Sequence, residues 1–146
     1  MTEMERIQIM YANRDASASE ALYAWHRSEV RVWQSEKDLI CASLLARAVG
    51  TDLCKTKVLD VGCGTGSFLR TLVEWGAHPS NLVGTEFLQD RLDIAYRCSP
   101  PNIEWHLGGL DSFSNNRFDL VTANTVFSSI LDDVGRQALT KDMWRL

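Results

Sequence analysis

The segment from Val58 to Gly66, with the sequence VLDVGCGTG, limits the fold of this chain more than any other. A short apolar run that ends in an acid and then meets glycine at every second position is typical of a buried parallel strand that turns into a helix. Glycine has no Cβ, so it adopts positive φ at little steric cost and lets a bound molecule lie against the backbone. The helix that follows presents unpaired N–H groups at its start. The segment therefore predicts a nucleotide-type cleft at the carboxyl end of a strand.

Strand and helix patterns alternate from Lys57 onward. The predicted strands are residues 57–61, 82–85, 103–107 and 118–123, and the predicted helices are residues 66–75, 88–97 and about 132 to the end, the last one capped by Asp132 or Asp133. This alternation predicts an α/β, Rossmann-like fold, in which a mostly parallel sheet of about four strands in the order 3-2-1-4 carries helices on both faces. Ligands of such sheets bind at the carboxyl ends of the strands.

The first fifty residues have helical patterns instead. One helix is predicted over about 17–28 and a second over about 30–49, where Gly50 ends it. We therefore expect an N-terminal helical cap over 1–50 and a Rossmann-like half domain over 51–146, both within a single structural domain.

Charge and composition argue against several classes of partner. The formal net charge of −4 argues against nucleic acid and anionic membranes. The longest apolar-rich stretch, 39–49, falls well short of the ~20 residues that span a bilayer, and the first residues carry no signal-peptide core. Four cysteines and three histidines match no metal-site spacing, so we expect no metal, reduced thiols and a cytoplasmic protein.

The glycine turn fits two kinds of cofactor. One is a dinucleotide, because Gly62–Ser67 nearly matches G-x-G-x-x-G and Glu86 lies 20 residues after Gly66, where a ribose-binding acid belongs. The sixth position is serine rather than glycine or alanine. An NAD(P)-binding oxidoreductase therefore stands as the alternative function.

The other is S-adenosylmethionine (SAM), and here the chain resembles a known family. Residues 58–66 resemble the first motif of class I SAM-dependent methyltransferases, 81–86 their second strand with its acidic end, and 117–124 their fourth strand. The final residues, MWRL, resemble the helix that precedes the fifth strand in that family. The resemblance implies a Rossmann-like fold, SAM as cofactor with S-adenosylhomocysteine (SAH) as product, and methyl transfer to a small-molecule acceptor.

The resemblance also implies which residues contact the methionine part of SAM. The backbone of the glycine turn would approach it closely, through Gly62, Cys63, Gly64 and Gly66. Asp60 would lie near its ammonium group, and Asn124 near the sulfonium centre.

A second set of residues is implied for the adenosine. Glu86 would accept both ribose hydroxyls, Phe87 would cover one face of adenine, and Leu110 would offer its backbone N–H to the ring edge. Relatives often hold the adenine amino group with an acid at the position of Gly109. Here Asp111, two residues later, is the candidate replacement.

The acceptor side has no assigned catalytic residue. Residues of the N-terminal helices are candidates for acceptor contact by the same resemblance, namely Tyr11, Arg14, Tyr23, Trp25, His26 and Trp33. Residues 123–126 lack the Asn-Pro-Pro-aromatic signature of enzymes that methylate base amino groups, which again disfavours nucleic acid.

The resemblance covers only about four of the seven strands of the family's sheet. Strand four would therefore have one bare edge, which favours self-association, such as a dimer, through that edge or through the C-terminal helix. Three explanations are open: a truncated piece of a larger enzyme, a half domain completed by dimerisation, or a non-catalytic cofactor-binding or assembly module.

Overall fold

A computed structural model describes residues 3–16, 24 and 26–146. The chain divides into two compact units, 1–51 and 52–146. The first unit contains helix α1 (Glu3–Ala16) and helix α2 (Ser28–Val49). Helix α2 ends at Gly50, whose φ of +83° is one that glycine adopts readily, and this stop was predicted. The helix predicted over 17–28 lies almost wholly outside the described residues.

The second unit is an α/β sheet structure. Its elements are β1 (Val58–Val61), α3 (Ser67–Glu74), β2 (Leu82–Glu86), α4 (Gln89–Cys98), β3 (Glu104–Leu107), β4 (Leu120–Ala123) and α5 (Asp133–Arg145), with short 3-10 turns at Pro79–Asn81 and Phe127–Ser129. All strand pairs are parallel and the order is β3-β2-β1-β4. The predicted fold class and strand order are therefore confirmed.

Three predicted strands begin later than expected. Strand β1 starts at Val58 rather than at residue 57. Strand β3 starts at Glu104 rather than at residue 103, and β4 starts at Leu120 rather than at residue 118. Before β4 the backbone bonds elsewhere, because Phe118 N–H donates to the Leu146 carbonyl. The Asp132 side chain accepts from Gly135 N–H and caps α5, as predicted.

Helices cover both faces of the sheet. On one face, Leu59, Val61 and Val83 form a buried cluster, against which Leu139 and Met143 of α5 pack. Side chains alternate between the faces of a strand, so neighbouring positions such as Gly84 face the other side, toward α3 and α4. Strand β1 is buried along its whole length and lies between β2 and β4, so its carboxyl end is at an interior position of the sheet edge.

No helix within 3–16, 24 and 26–146 is long and apolar enough to cross a membrane.

Candidate functional site

The three glycines after β1 share a left-handed backbone but have different surroundings. Gly62, Gly64 and Gly66 have φ of +63°, +56° and +76°. A Cβ on Gly62 would lie 2.6 Å from Val126 Cγ2, and one on Gly66 would lie 2.6 Å from Trp105 Cη2. A Cβ on Gly64 would meet nothing within 4 Å. Gly64 is thus the glycine of this turn whose bare backbone faces open space, whereas the other two are also required by packing.

Gly84 in β2 is a second packing glycine, and the sequence interpretation missed it. A Cβ there would lie 2.7 Å from Cys63 Sγ and 2.7 Å from Trp105 Cζ3. The available signal was a glycine inside an otherwise apolar strand, which often marks a close approach of neighbouring groups. Trp105 therefore lies under the glycine turn and contacts two positions that exclude a side chain.

The carboxylate of Glu86 lies at the glycine turn. Its Oε2 accepts from Gly64 N–H at 2.9 Å, and its Oε1 accepts from the N–H groups of Phe87 at 2.7 Å and Leu88 at 3.2 Å. The two donors beyond β2 lie at the start of α4, where unpaired amides favour negative charge. The structure thus brings the predicted ribose-binding acid to the open glycine and fixes its orientation.

A buried carboxylate joins β1 to β4 beside the turn. Asp60 is 1% exposed, and its Oδ1 accepts from Thr122 Oγ1 at 2.8 Å and from Asn124 Nδ2 at 3.3 Å. The register pairs Asp60 with Thr122, which explains why these groups meet. Two of the predicted site residues, Asp60 and Asn124, are therefore in direct contact, and Thr122 is a contact partner that sequence reasoning missed.

The loop after β4 is strained where it meets the turn. Thr125 has φ of +63°, a conformation that is rare for a β-branched residue. Its carbonyl accepts from Ser128 Oγ at 2.6 Å, and the next side chain, Val126, covers Gly62. Such strain clusters at functional sites, and here the strained residue directly precedes the side chain that packs against the glycine turn.

Two of the three predicted adenine-side residues also converge. The ring of Phe87 (atom Cζ) and the carboxylate of Asp111 (atom Oδ2) each lie 3.8 Å from the point where a Cβ on Gly109 would stand. Asp111 is exposed, so its carboxylate is accessible from solvent. The side chain of Leu110 is instead buried in the core at 5% exposure. The acid two residues after Gly109 thus reaches back toward the position at which the expected acid is missing.

Cys63 lies in the turn as a buried small side chain. Burial raises the pKa of its thiol well above the ordinary value, and the negative charges of Asp60 and Glu86 raise this pKa further. A raised thiol pKa keeps the group protonated and therefore poorly nucleophilic. Cys63 is thus suited to filling space under the turn.

We expect a thiol reagent at about pH 8 to spare Cys63 in the folded protein while it modifies the exposed Cys54 and Cys98. Almost no Cys63 thiolate exists at that pH, because the pKa is raised, and its Sγ is covered. Peptide mass spectrometry after brief alkylation measures this, with urea-unfolded protein as the control in which all sites react. Modification of Cys63 as rapid as that of Cys54 would contradict the result.

The candidate acceptor-side residues belong to the N-terminal part of the chain. Tyr11 and Arg14 lie on α1 and Trp33 on α2, all in the first unit. His26 is exposed just before α2. Tyr23 and Trp25 lie outside the described residues. Among the residues that the structure describes, no group of three His, Cys, Asp or Glu side chains is arranged to hold a metal ion.

Comparisons with known proteins show the family and the fold. Residues 58–146 match the methyltransferase domain family. The chain is 30% identical over 105 residues to a magnesium-protoporphyrin O-methyltransferase of Rhodobacter capsulatus. This alignment covers 68% of this chain and 45% of that protein. Among solved structures, magnesium protoporphyrin IX methyltransferase of Synechocystis PCC 6803 with bound SAM aligns at a TM-score of 0.73 and 15% identity, over 98% of this chain and 71% of that one.

An amino pentose methyltransferase of Micromonospora echinaspora, solved with SAM, aligns at a TM-score of 0.59 and 26% identity, over 87% of this chain and 50% of that one. The chain spans less than half the length of the curated relatives it matches. Because the family match covers more than half of the chain, the protein belongs to the methyltransferase domain family, with the Rossmann-like fold of class I SAM-dependent methyltransferases.

Proposed function

We propose that this protein binds SAM and transfers its methyl group to a small-molecule acceptor. The observation that carries the proposal is the pairing of Glu86 with Gly64: a carboxylate lies 2.9 Å from the amide of a left-handed glycine that faces open space. Family membership favours SAM over the nicotinamide alternative.

The described residues fit the parts of SAM in order along the sheet edge. The open backbone at Gly64 leaves room for the methionine chain, and buried Asp60 favours positive charge beside it. Glu86 would bind the ribose, while Phe87 and Asp111 converge where the adenine would lie. A side chain or a bare backbone that the fold already holds in place supports each of these proposed roles.

Bound SAM supplies an activated methyl group on a positively charged sulfur. The protein's contribution is then to align the acceptor with that carbon and to exclude water. Asn124, fixed by its bond to Asp60, would orient groups near the sulfur. The relatives act on a magnesium porphyrin and an amino pentose. We propose a small organic acceptor for this chain as well.

Isothermal titration with SAH tests the binding step. We expect saturable heat with SAH and none with NADH at the same concentration. Heat with NADH but not with SAH would refute SAM binding and favour the oxidoreductase alternative. A methyl-transfer assay with labelled SAM across candidate acceptors tests turnover: labelled product supports the enzyme, whereas SAH binding without product across all acceptors favours a non-catalytic binding module.

We also propose that the chain self-associates through the open edge of β4. Within the part of the chain that the structure describes, this strand pairs with β1 alone. Its residues Leu120 and Val121 also line an apolar groove with Phe118, Phe127 and Trp144. Trp144 is 91% exposed. Unpaired strand edges bind further strands, and a second copy related by a twofold axis can cover the groove with the same apolar surface.

Replacing Trp144 with glutamate is expected to shift the chain from dimer to monomer, because a charge would replace an exposed apolar side chain that lines the groove. Light scattering over a concentration series measures the shift. Tyr96, 75% exposed on α4, provides the matched control, since Tyr96→Glu adds the same charge away from the groove. A monomeric unmodified chain at the highest concentration would overturn the proposal.

We propose the cytoplasm as the compartment. Cys54, Cys63 and Cys98 carry free thiols, which a reducing compartment maintains.

A further inference from the structure

We infer that Arg145, at the end of α5, is a positioning residue for the loop that follows β3. Its guanidinium donates from Nη2 to the Leu110 carbonyl at 2.8 Å and from Nη1 to the Phe113 carbonyl at 2.7 Å. A third contact joins Nη1 to Asn115 Oδ1 at 3.3 Å. The planar guanidinium presents its donors in a fixed fork, so one side chain holds several points of the loop in a set geometry.

Backbone bonds continue the same attachment. Asn116 N–H donates to the Arg145 carbonyl at 2.9 Å, and Phe118 N–H donates to the Leu146 carbonyl at 3.0 Å. Leu146 is 5% exposed and packs in the same core cluster as Leu110. The last turn of α5 thus bonds to residues 110–118 through both side chain and backbone. Arg145 itself pairs with Asp142 at 3.3 Å, which steadies its side chain.

The held loop is the one that carries the adenine-side residues. The carbonyl of Leu110 lies in the same peptide plane as the N–H of Asp111, so an anchor on that carbonyl restrains the backbone that leads into Asp111. The Asp111 carboxylate lies beside the Gly109 position with the Phe87 ring. The inference rests on the proposed function. Arg145 would position the Asp111 carboxylate, which would accept a hydrogen bond from the adenine amino group. Arg145 itself would not contact the base.

Hydrogen exchange of the ligand-free protein tests the attachment. In Arg145→Gln we expect amide exchange over 108–118 to rise about tenfold or more, since net hydrogen bonds of this kind are each worth roughly that factor. Arg136→Gln is the matched control, because Arg136 lies on the same helix but donates to the Ile130 carbonyl and pairs with Asp133. Unchanged exchange over 108–118 in Arg145→Gln would overturn the inference.

Base discrimination tests the consequence. The probes are SAH and its hypoxanthine counterpart S-inosylhomocysteine, which lacks the amino group. We expect the unmodified chain to prefer SAH about tenfold, the effect of one charge-assisted hydrogen bond. The preference should fall to about twofold in Arg145→Gln and persist in Arg136→Gln, whereas a purely structural role would lower stability without changing this ratio.

Arg145→Lys keeps the charge but loses the planar set of guanidinium donors. It replaces the glutamine variant if that variant fails to fold, and we expect the same loss of preference for SAH over S-inosylhomocysteine. A preference equal to that of the unmodified chain in a folded Arg145 variant would overturn the inference. Failure of the unmodified chain to bind SAH would overturn the proposed function instead, and the exchange comparison would still decide the positioning role.

Discussion

Replacing Glu86 with glutamine is expected to lower the affinity for SAH about 100-fold. In the proposed complex the carboxylate accepts both ribose hydroxyls, and hydrogen bonds to a charged group are worth about 1.5–3 kcal/mol each. Glutamine keeps one neutral acceptor oxygen, so one such bond is lost and the other is weakened, which corresponds to about two orders of magnitude in Kd. Isothermal titration of SAH into each variant measures the difference.

The same substitution has a smaller effect on folding. Glu86 accepts from Gly64, Phe87 and Leu88 N–H groups with both oxygens, whereas glutamine has one acceptor oxygen and an NH₂ group. We therefore expect a loss of about 1–2 kcal/mol in the free energy of unfolding, measured in urea. Glu74→Gln, at an exposed glutamate of α3, is the matched control and should leave both quantities unchanged. Equal SAH affinity in Glu86→Gln and the unmodified chain would refute the ribose role.

The sheet could be predicted because its signals are local. Each strand is a short apolar run bounded by turn residues, and right-handed crossovers then restrict the order to a few possibilities. Helix α1 was missed, although Ile7 and Met10 stand at helical spacing, because a mostly polar segment with a thin apolar stripe gives a weak signal. The start of β4 was misplaced because the Phe118 N–H bonds to Leu146, a partner 28 positions away that no local pattern indicates.

The candidate site also combines features that the sequence predicts with features that it does not. The proximity of Glu86 and Gly64 was predictable, because parallel neighbouring strands end at one edge of the sheet. The roles of Trp105 and Arg145 were not, since each depends on contacts between residues distant in the chain. One sequence also gives no means to distinguish Gly64 from Gly66, which have equal spacing and similar φ but opposite surroundings.

Because the surroundings differ, alanine at Gly64 is expected to impair SAH binding, whereas alanine at Gly66 is expected to impair stability. Gly64→Ala is expected to fold, because its methyl group meets no atom within 4 Å, and the left-handed φ costs only about 1–2 kcal/mol. The methyl group would stand in the space proposed for SAM, so SAH affinity should fall about 100-fold or more, since a methyl group that the ligand cannot avoid costs several kcal/mol in a close-packed site. Titration calorimetry on the folded variant measures this loss.

Gly66→Ala is expected to lose stability instead. Its methyl group would lie 2.6 Å from Trp105 Cη2 and 3.2 Å from Ala95 Cβ, so overpacking adds to the backbone strain and lowers the free energy of unfolding by about 3 kcal/mol. Trp105→Phe removes the outer indole atoms that collide. We therefore expect the double variant, Gly66→Ala with Trp105→Phe, to be destabilised by about 1 kcal/mol less than the sum of the losses in the two single variants, as expected for residues in contact. Strict additivity in urea unfolding would show that Gly66 is not required by its packing against Trp105. A Gly64→Ala protein that binds SAH as well as the unmodified chain would show that Gly64 does not face the bound ligand.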